Sequence, residues 1–80
     1  MNQGWNTVHK DPGRAQQVFE TVLLQAPNNL EAHYGVGYAL LSQNRPQEAQ
    51  GHLCTAIAGS DIEIQRDVRA LLNTHQLSCP

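Results

Sequence analysis

The chain has 80 residues, 40% of them apolar and 15% charged, with five Lys and Arg against seven Asp and Glu and a net charge of −2. That balance is too apolar and too weakly charged for an intrinsically disordered chain, and the lack of a basic stripe argues against a nucleic-acid partner. No apolar run approaches the ~18 residues that a membrane span needs.

The first residues, Met1-Asn2-Gln3-Gly4-Trp5-Asn6, have neither the charged n-region nor the apolar h-region of a secretion signal. The expected compartment is therefore the cytoplasm, or the periplasm if the sequence is excised from a longer protein. Residues 3–9 have room for a short helix, which Gly4 and Asn6 weaken. Asp11-Pro12 reads as an N-cap followed by proline at the first helical position, where the missing N–H costs nothing. Ala15, Val18, Phe19, Val22 and Leu23 then recur at the spacing of one helix face. Ala26-Pro27 ends that helix, because the residue before a proline is pushed out of the α region.

Asn28-Asn29 supplies a turn and the next cap. A second helix is predicted over residues 30–42, apolar around most of its circumference and so covered on more than one side. Gly35 and Gly37 in its interior each cost ~1 kcal/mol relative to alanine, which points to close approach by another backbone. Asn44 is placed as a left-handed stop, and Arg45-Pro46 restarts the chain. A third helix over residues 46–58 puts Ala49, Leu53, Ala56 and Ile57 on one face, with Gly59 just past its end and Ser60-Asp61 as the next cap. The fourth, residues 62–74, aligns Ile64, Val68, Leu71 and Leu72 against a polar side of Glu63, Gln65, Arg66, Asp67 and Arg69. Residues 76–80 read as a frayed tail. No period-two alternation or hairpin signal marks a strand.

The predicted fold class is all-α, four or five helices arranged as antiparallel helix-turn-helix repeats. Self-similarity supports the repeat. Asp11-Pro12-Gly13-Arg14-Ala15 and Arg45-Pro46-Gln47-Glu48-Ala49 share their punctuation at an offset of 34, and the same offset relates Phe19 to Leu53 and Val22 to Ala56. A period of 34 is that of the tetratricopeptide repeat. The chain resembles that family in the Val36-Gly37 pair, in Leu40 as the following large residue (where the family often has tyrosine), and in the small-large-small set Ala49, Leu53 and Ala56. It departs from the family's pattern at His33, Leu40, Val22 and Asp61. The resemblance implies one single domain: a half repeat over residues 11–29, a full repeat over 30–61, a capping helix over 62–75 and the tail.

It further implies a non-catalytic scaffold that binds a protein or peptide on the concave side, lined by the first helix of each pair. The residues expected there for partner binding are Glu31, Tyr34, Tyr38, Leu41 and Arg69. Tyr34 and Tyr38 are four apart and share a face, and tyrosine suits interfaces by joining apolar area to a polar tip. The competing use for these rings is packing against Trp5 or the last helix. Some members of the family clamp acidic tails with Lys, Arg and Asn; here only Arg69 has suitable chemistry, so an apolar or mixed partner is expected. The alternative function is self-assembly into a homo-oligomer that completes the array, since a chain this short buries only ~60% of its surface. Four histidines, His9, His33, His52 and His75, form no HxxxH or HExxH pair, so neither metal, cofactor nor catalysis is expected. Cys54 and Cys79 are read as buried or unpaired thiols in preference to a disulfide, being too few for a stapling framework.

Overall fold

In a computed structural model that describes residues 10–79, four helices follow one another: α1 Pro12–Gln25, α2 Leu30–Ser42, α3 Pro46–Ile57 and α4 Ile62–Thr74. The predicted short helix over residues 3–9, and any contact of Trp5, lie outside the described residues. Each start is set by a local device. The Asp11 carboxylate accepts from the Arg14 N–H at 3.2 Å, Asn29 from Ala32 at 3.0 Å, and Asp61 from Ile64 at 3.1 Å, each satisfying one of the unpaired donors of a first turn. At α3 the capping position is Arg45, with no side-chain cap. There Pro46 removes one donor, and Arg45 forms an ion pair with Glu48.

The ends are equally local. Asn44 takes a left-handed conformation at φ 60°, and the Arg45 N–H returns to the Leu40 carbonyl at 2.9 Å, closing α2 as expected. Gln76 does the same for α4 at φ 57°, with the Leu77 N–H on the Leu72 carbonyl at 2.8 Å. Gly59 lies just past the end of α3, as expected, though not in a left-handed conformation. Its reason is space: a Cβ there would fall 1.9 Å from a Leu30 methyl.

The helices pack antiparallel in sequence order, α1 on α2, α2 on α3 and α3 on α4, with a lighter α2–α4 contact. The core holds Phe19, Val36, Leu53 and Val68 fully buried, with Ala15, Ala32, Ala39, Ala49 and Ala56 as the small residues that bring the axes together. The two glycines of α2 are explained by side chains and not by backbone. A Cβ on Gly35 would lie 2.5 Å from the Phe19 ring, and one on Gly37 would lie 2.5 Å from Leu53. Two residues correspond to about 200° on a helix, so α2 is notched on opposite sides. One notch takes Phe19 from α1, and the other takes the residue 34 positions later from α3. The sequence period is thus a packing period.

The tail is corrected most. Cys54 and Cys79 form a disulfide with Cα atoms 5.5 Å apart, so neither is a free thiol. After the left-handed Gln76 the chain runs back along α3. The Gln50 side-chain amide donates to the Ser78 carbonyl, Leu77 packs on the core, and Cys79 reaches Cys54. A segment expected to fray is pinned at its last described residue.

Candidate functional site

Because α3 separates them in sequence and each helix reverses the last, α2 and α4 run in the same direction. Their first turns meet, as do their last, and a groove runs between them. At its first-turn end a cavity of about 420 Å³ is lined by Glu31 and Tyr34 of α2 and by Asp61, Glu63, Ile64 and Asp67. At the other end a smaller cavity of about 220 Å³ is lined by Tyr38, Leu41, Ser42, Leu71 and His75. Tyr34 and Tyr38 join the two, their rings edge to face with centroids 6.4 Å apart.

Four of the five expected site residues therefore border one groove: Glu31 and Tyr34 at one end, Tyr38 and Leu41 at the other. Arg69 is exposed and lines neither cavity. The groove face of α4 is Ile64, Asp67 and Leu71; Arg69 is two residues from Asp67 and from Leu71, about 200° around the helix. The tyrosines serve two roles at once. Both are half-buried, Tyr34 against the main core and Tyr38 against Ala15 and Ala39, while each still borders a cavity.

Burial, the neighbouring Asp67 carboxylate and Tyr38 push the Tyr34 phenol up to about 12. It stays protonated at neutral pH and can donate to Asp67. The groove thus has tyrosines between two ends, one where Leu41 and Leu71 stand beside Ser42 and His75, and one rich in carboxylates. Sequence reasoning missed Asp61, Glu63, Ile64, Asp67 and Leu71 as groove residues. The pattern puts Glu63 and Asp67 on the polar side of α4 and Asp61 in its cap, and only the packing of α4 beside α2 shows which side turns inward.

A second pairing lies away from the groove. His33 of α2 and His52 of α3 approach with Nδ1 atoms 3.2 Å apart, and His33 Nε2 is 2.8 Å from the Pro27 carbonyl. The carbonyl can only accept, so His33 donates to it through Nε2. Burial and the neighbouring His33 lower the His52 pKa, which keeps the ring neutral. Among the described residues no group of three or more His, Cys, Asp or Glu is arranged to hold a metal ion, and no helix is long and apolar enough to cross a membrane. On the α1–α3 side a cavity of about 680 Å³ is lined by Gln17, Glu20, Thr21, Leu23, Leu24 and His52, and Leu24 is 85% exposed there.

The family model for the tetratricopeptide repeat matches residues 9–58, which is more than half of the 80-residue chain and spans α1, α2 and α3. Neither a curated protein nor a solved structure matches the chain.

Proposed function

Since the chain belongs to the tetratricopeptide repeat family, whose repeats generally mediate protein–protein contacts and are typically non-catalytic, we propose that it is an adaptor receiving a protein segment in the α2–α4 groove. The observation that carries this reading is the groove itself. Tyr34, Tyr38 and Leu41 border two adjoining cavities along one helix, an arrangement in which large half-exposed aromatic groups can be covered by a partner. In this reading α4 closes the stack and supplies the second wall.

A peptide library displayed on phage and selected against the immobilised protein tests it. Tyr38→Ala is expected to weaken the selected peptides at least about tenfold, or ~1.4 kcal/mol, while helicity by circular dichroism is kept. Tyr38 also touches the core, so a second variant is needed. Ser42→Arg fills the Leu41–Leu71 end from an exposed position and is expected to weaken the same peptides without lowering the melting temperature. Unchanged binding by Ser42→Arg would remove the groove as the site.

A further inference from the structure

Away from the groove, His33 of α2 and His52 of α3 face each other with Nδ1 atoms 3.2 Å apart and ring centroids 5.4 Å apart. An imidazole nitrogen that carries a proton donates and a bare one accepts, so the contact needs one proton between the two Nδ1 atoms. The other side of His33 is fixed by the Pro27 carbonyl, 2.8 Å from Nε2. With both rings neutral, His33 therefore keeps its single proton on Nε2, and His52 supplies the one on Nδ1.

Acid acts on this pair in two steps. One added proton leaves the contact whole, because either ring can be the imidazolium while a single proton still lies between the Nδ1 atoms. A second added proton puts N–H on both Nδ1 atoms and a positive charge on both rings, which repel at this distance. His33 is still held by Pro27, so His52 is the ring that leaves. Its alternative partner is at hand, since His52 lines the α1–α3 cavity together with Glu20 of α1. The Glu20 carboxylate, which accepts from the Gln16 amide at 3.2 Å, favours the charged form of His52. On α3 itself Glu48 lies one turn before His52, with its carboxylate held by Arg45, and α4 adds no residue to that cavity.

We propose that His33 and His52 are a pH-operated latch between α2 and α3, closed while the pair carries at most one extra proton. A second proton opens it and sends His52 toward Glu20 in the α1–α3 cavity. The sign of the effect on stability follows from linkage. Burial and His33 hold the His52 pKa below its ordinary value, so the unfolded chain takes up the proton first. The latch's contribution to stability is complete above about pH 6.5 and is lost as the pH falls through the folded value. The latch lies outside the α2–α4 groove and does not depend on the adaptor reading.

The test is a titration of the full chain from about pH 8.5 to about pH 4.5, spanning the histidine range, with the imidazole ¹⁵N signals followed by NMR. At the alkaline end His52 is expected as the Nδ1–H tautomer. His33→Ala is expected to move the His52 midpoint up toward about 6.5, and Glu20→Gln to move it to lower pH. A double-mutant cycle of His33→Ala and His52→Ala in urea is expected to show a coupling of about fivefold in the unfolding constant at the alkaline end and none at the acid end. An Nε2–H tautomer of His52 at the alkaline end overturns the latch, as does a His52 midpoint that His33→Ala leaves unchanged. A coupling equal at both ends overturns it too, and the tautomer in the parent chain decides the matter if a variant does not fold.

Discussion

Phe19→Ala is expected to cost about 3–5 kcal/mol and leave much of the chain unfolded at 37 °C. At roughly 0.05–0.15 kcal/mol per residue, an 80-residue chain is stable by only about 4–12 kcal/mol. Phe19 is the largest fully buried side chain among the described residues, and it occupies the notch that Gly35 leaves in α2. Removing the ring loses its burial and opens a cavity that two packed helices cannot fully collapse.

The same geometry gives a sharper result by a double-mutant cycle. Gly35→Ala alone would put a methyl group 2.5 Å from the Phe19 ring and is expected to destabilise by about 1–3 kcal/mol. In the Phe19→Ala background the ring is gone and the gain in helix propensity remains. There Gly35→Ala is expected to stabilise by up to ~1 kcal/mol. Urea denaturation of the four proteins measures the cycle. A neutral or stabilising Gly35→Ala in the parent would show that the notch does not hold the ring.

Reduction of the Cys54–Cys79 bond is the second large effect. The bond closes a 25-residue separation that includes the whole of α4. The chain-entropy relation puts the effect of such a loop on the denatured state at about 3–4 kcal/mol. The native state loses as well, because the tail that lies on α3 is otherwise held mainly by Leu77 and the Gln50–Ser78 contact. Adding a thiol reductant is therefore expected to lower the urea midpoint strongly, and Cys79→Ser should reproduce the shift and be insensitive to reductant. An unchanged midpoint on reduction would mean that the bond does not constrain the fold. Disulfides persist in oxidising compartments and are rare in the cytosol, so a cytosolic copy of the domain would carry the weaker, reduced form.

The helices were legible because their signals are local. Asp11-Pro12, Ala26-Pro27 and Asn44-Arg45-Pro46 act through backbone geometry within a few residues, and each falls at a helix end in the structure. The 34-residue offset was legible as similarity, and its cause is that Phe19 and Leu53 fill matching notches on opposite sides of α2. Contacts made by chain reversal were not legible. Cys79 meets Cys54 only because α4 runs antiparallel to α3 and the left-handed Gln76 then turns the tail back. His33 and His52 likewise sit on different helices, 19 residues apart, and no local spacing marks them.

The candidate site was half legible. Glu31, Tyr34, Tyr38 and Leu41 follow from α2 being the first helix of its pair. The α4 wall depends on the rotation of that helix about its own axis. The family resemblance puts Arg69 on the concave side, whereas the structure turns Ile64, Asp67 and Leu71 to the groove. Asp67 and Arg69 are two residues apart, about 200° around the helix, so the rotation of α4 decides whether a carboxylate or an arginine faces the partner.

The central claim is that a partner segment docks between α2 and α4, and mapping amide shifts during titration of a phage-selected peptide tests it most directly. The largest shifts are expected on Tyr34, Tyr38, Leu41 and Ser42 of α2 and on Ile64, Asp67 and Leu71 of α4, with small changes along α1. Shifts concentrated instead around Leu23, Leu24 and His52, on the α1–α3 side, would contradict it.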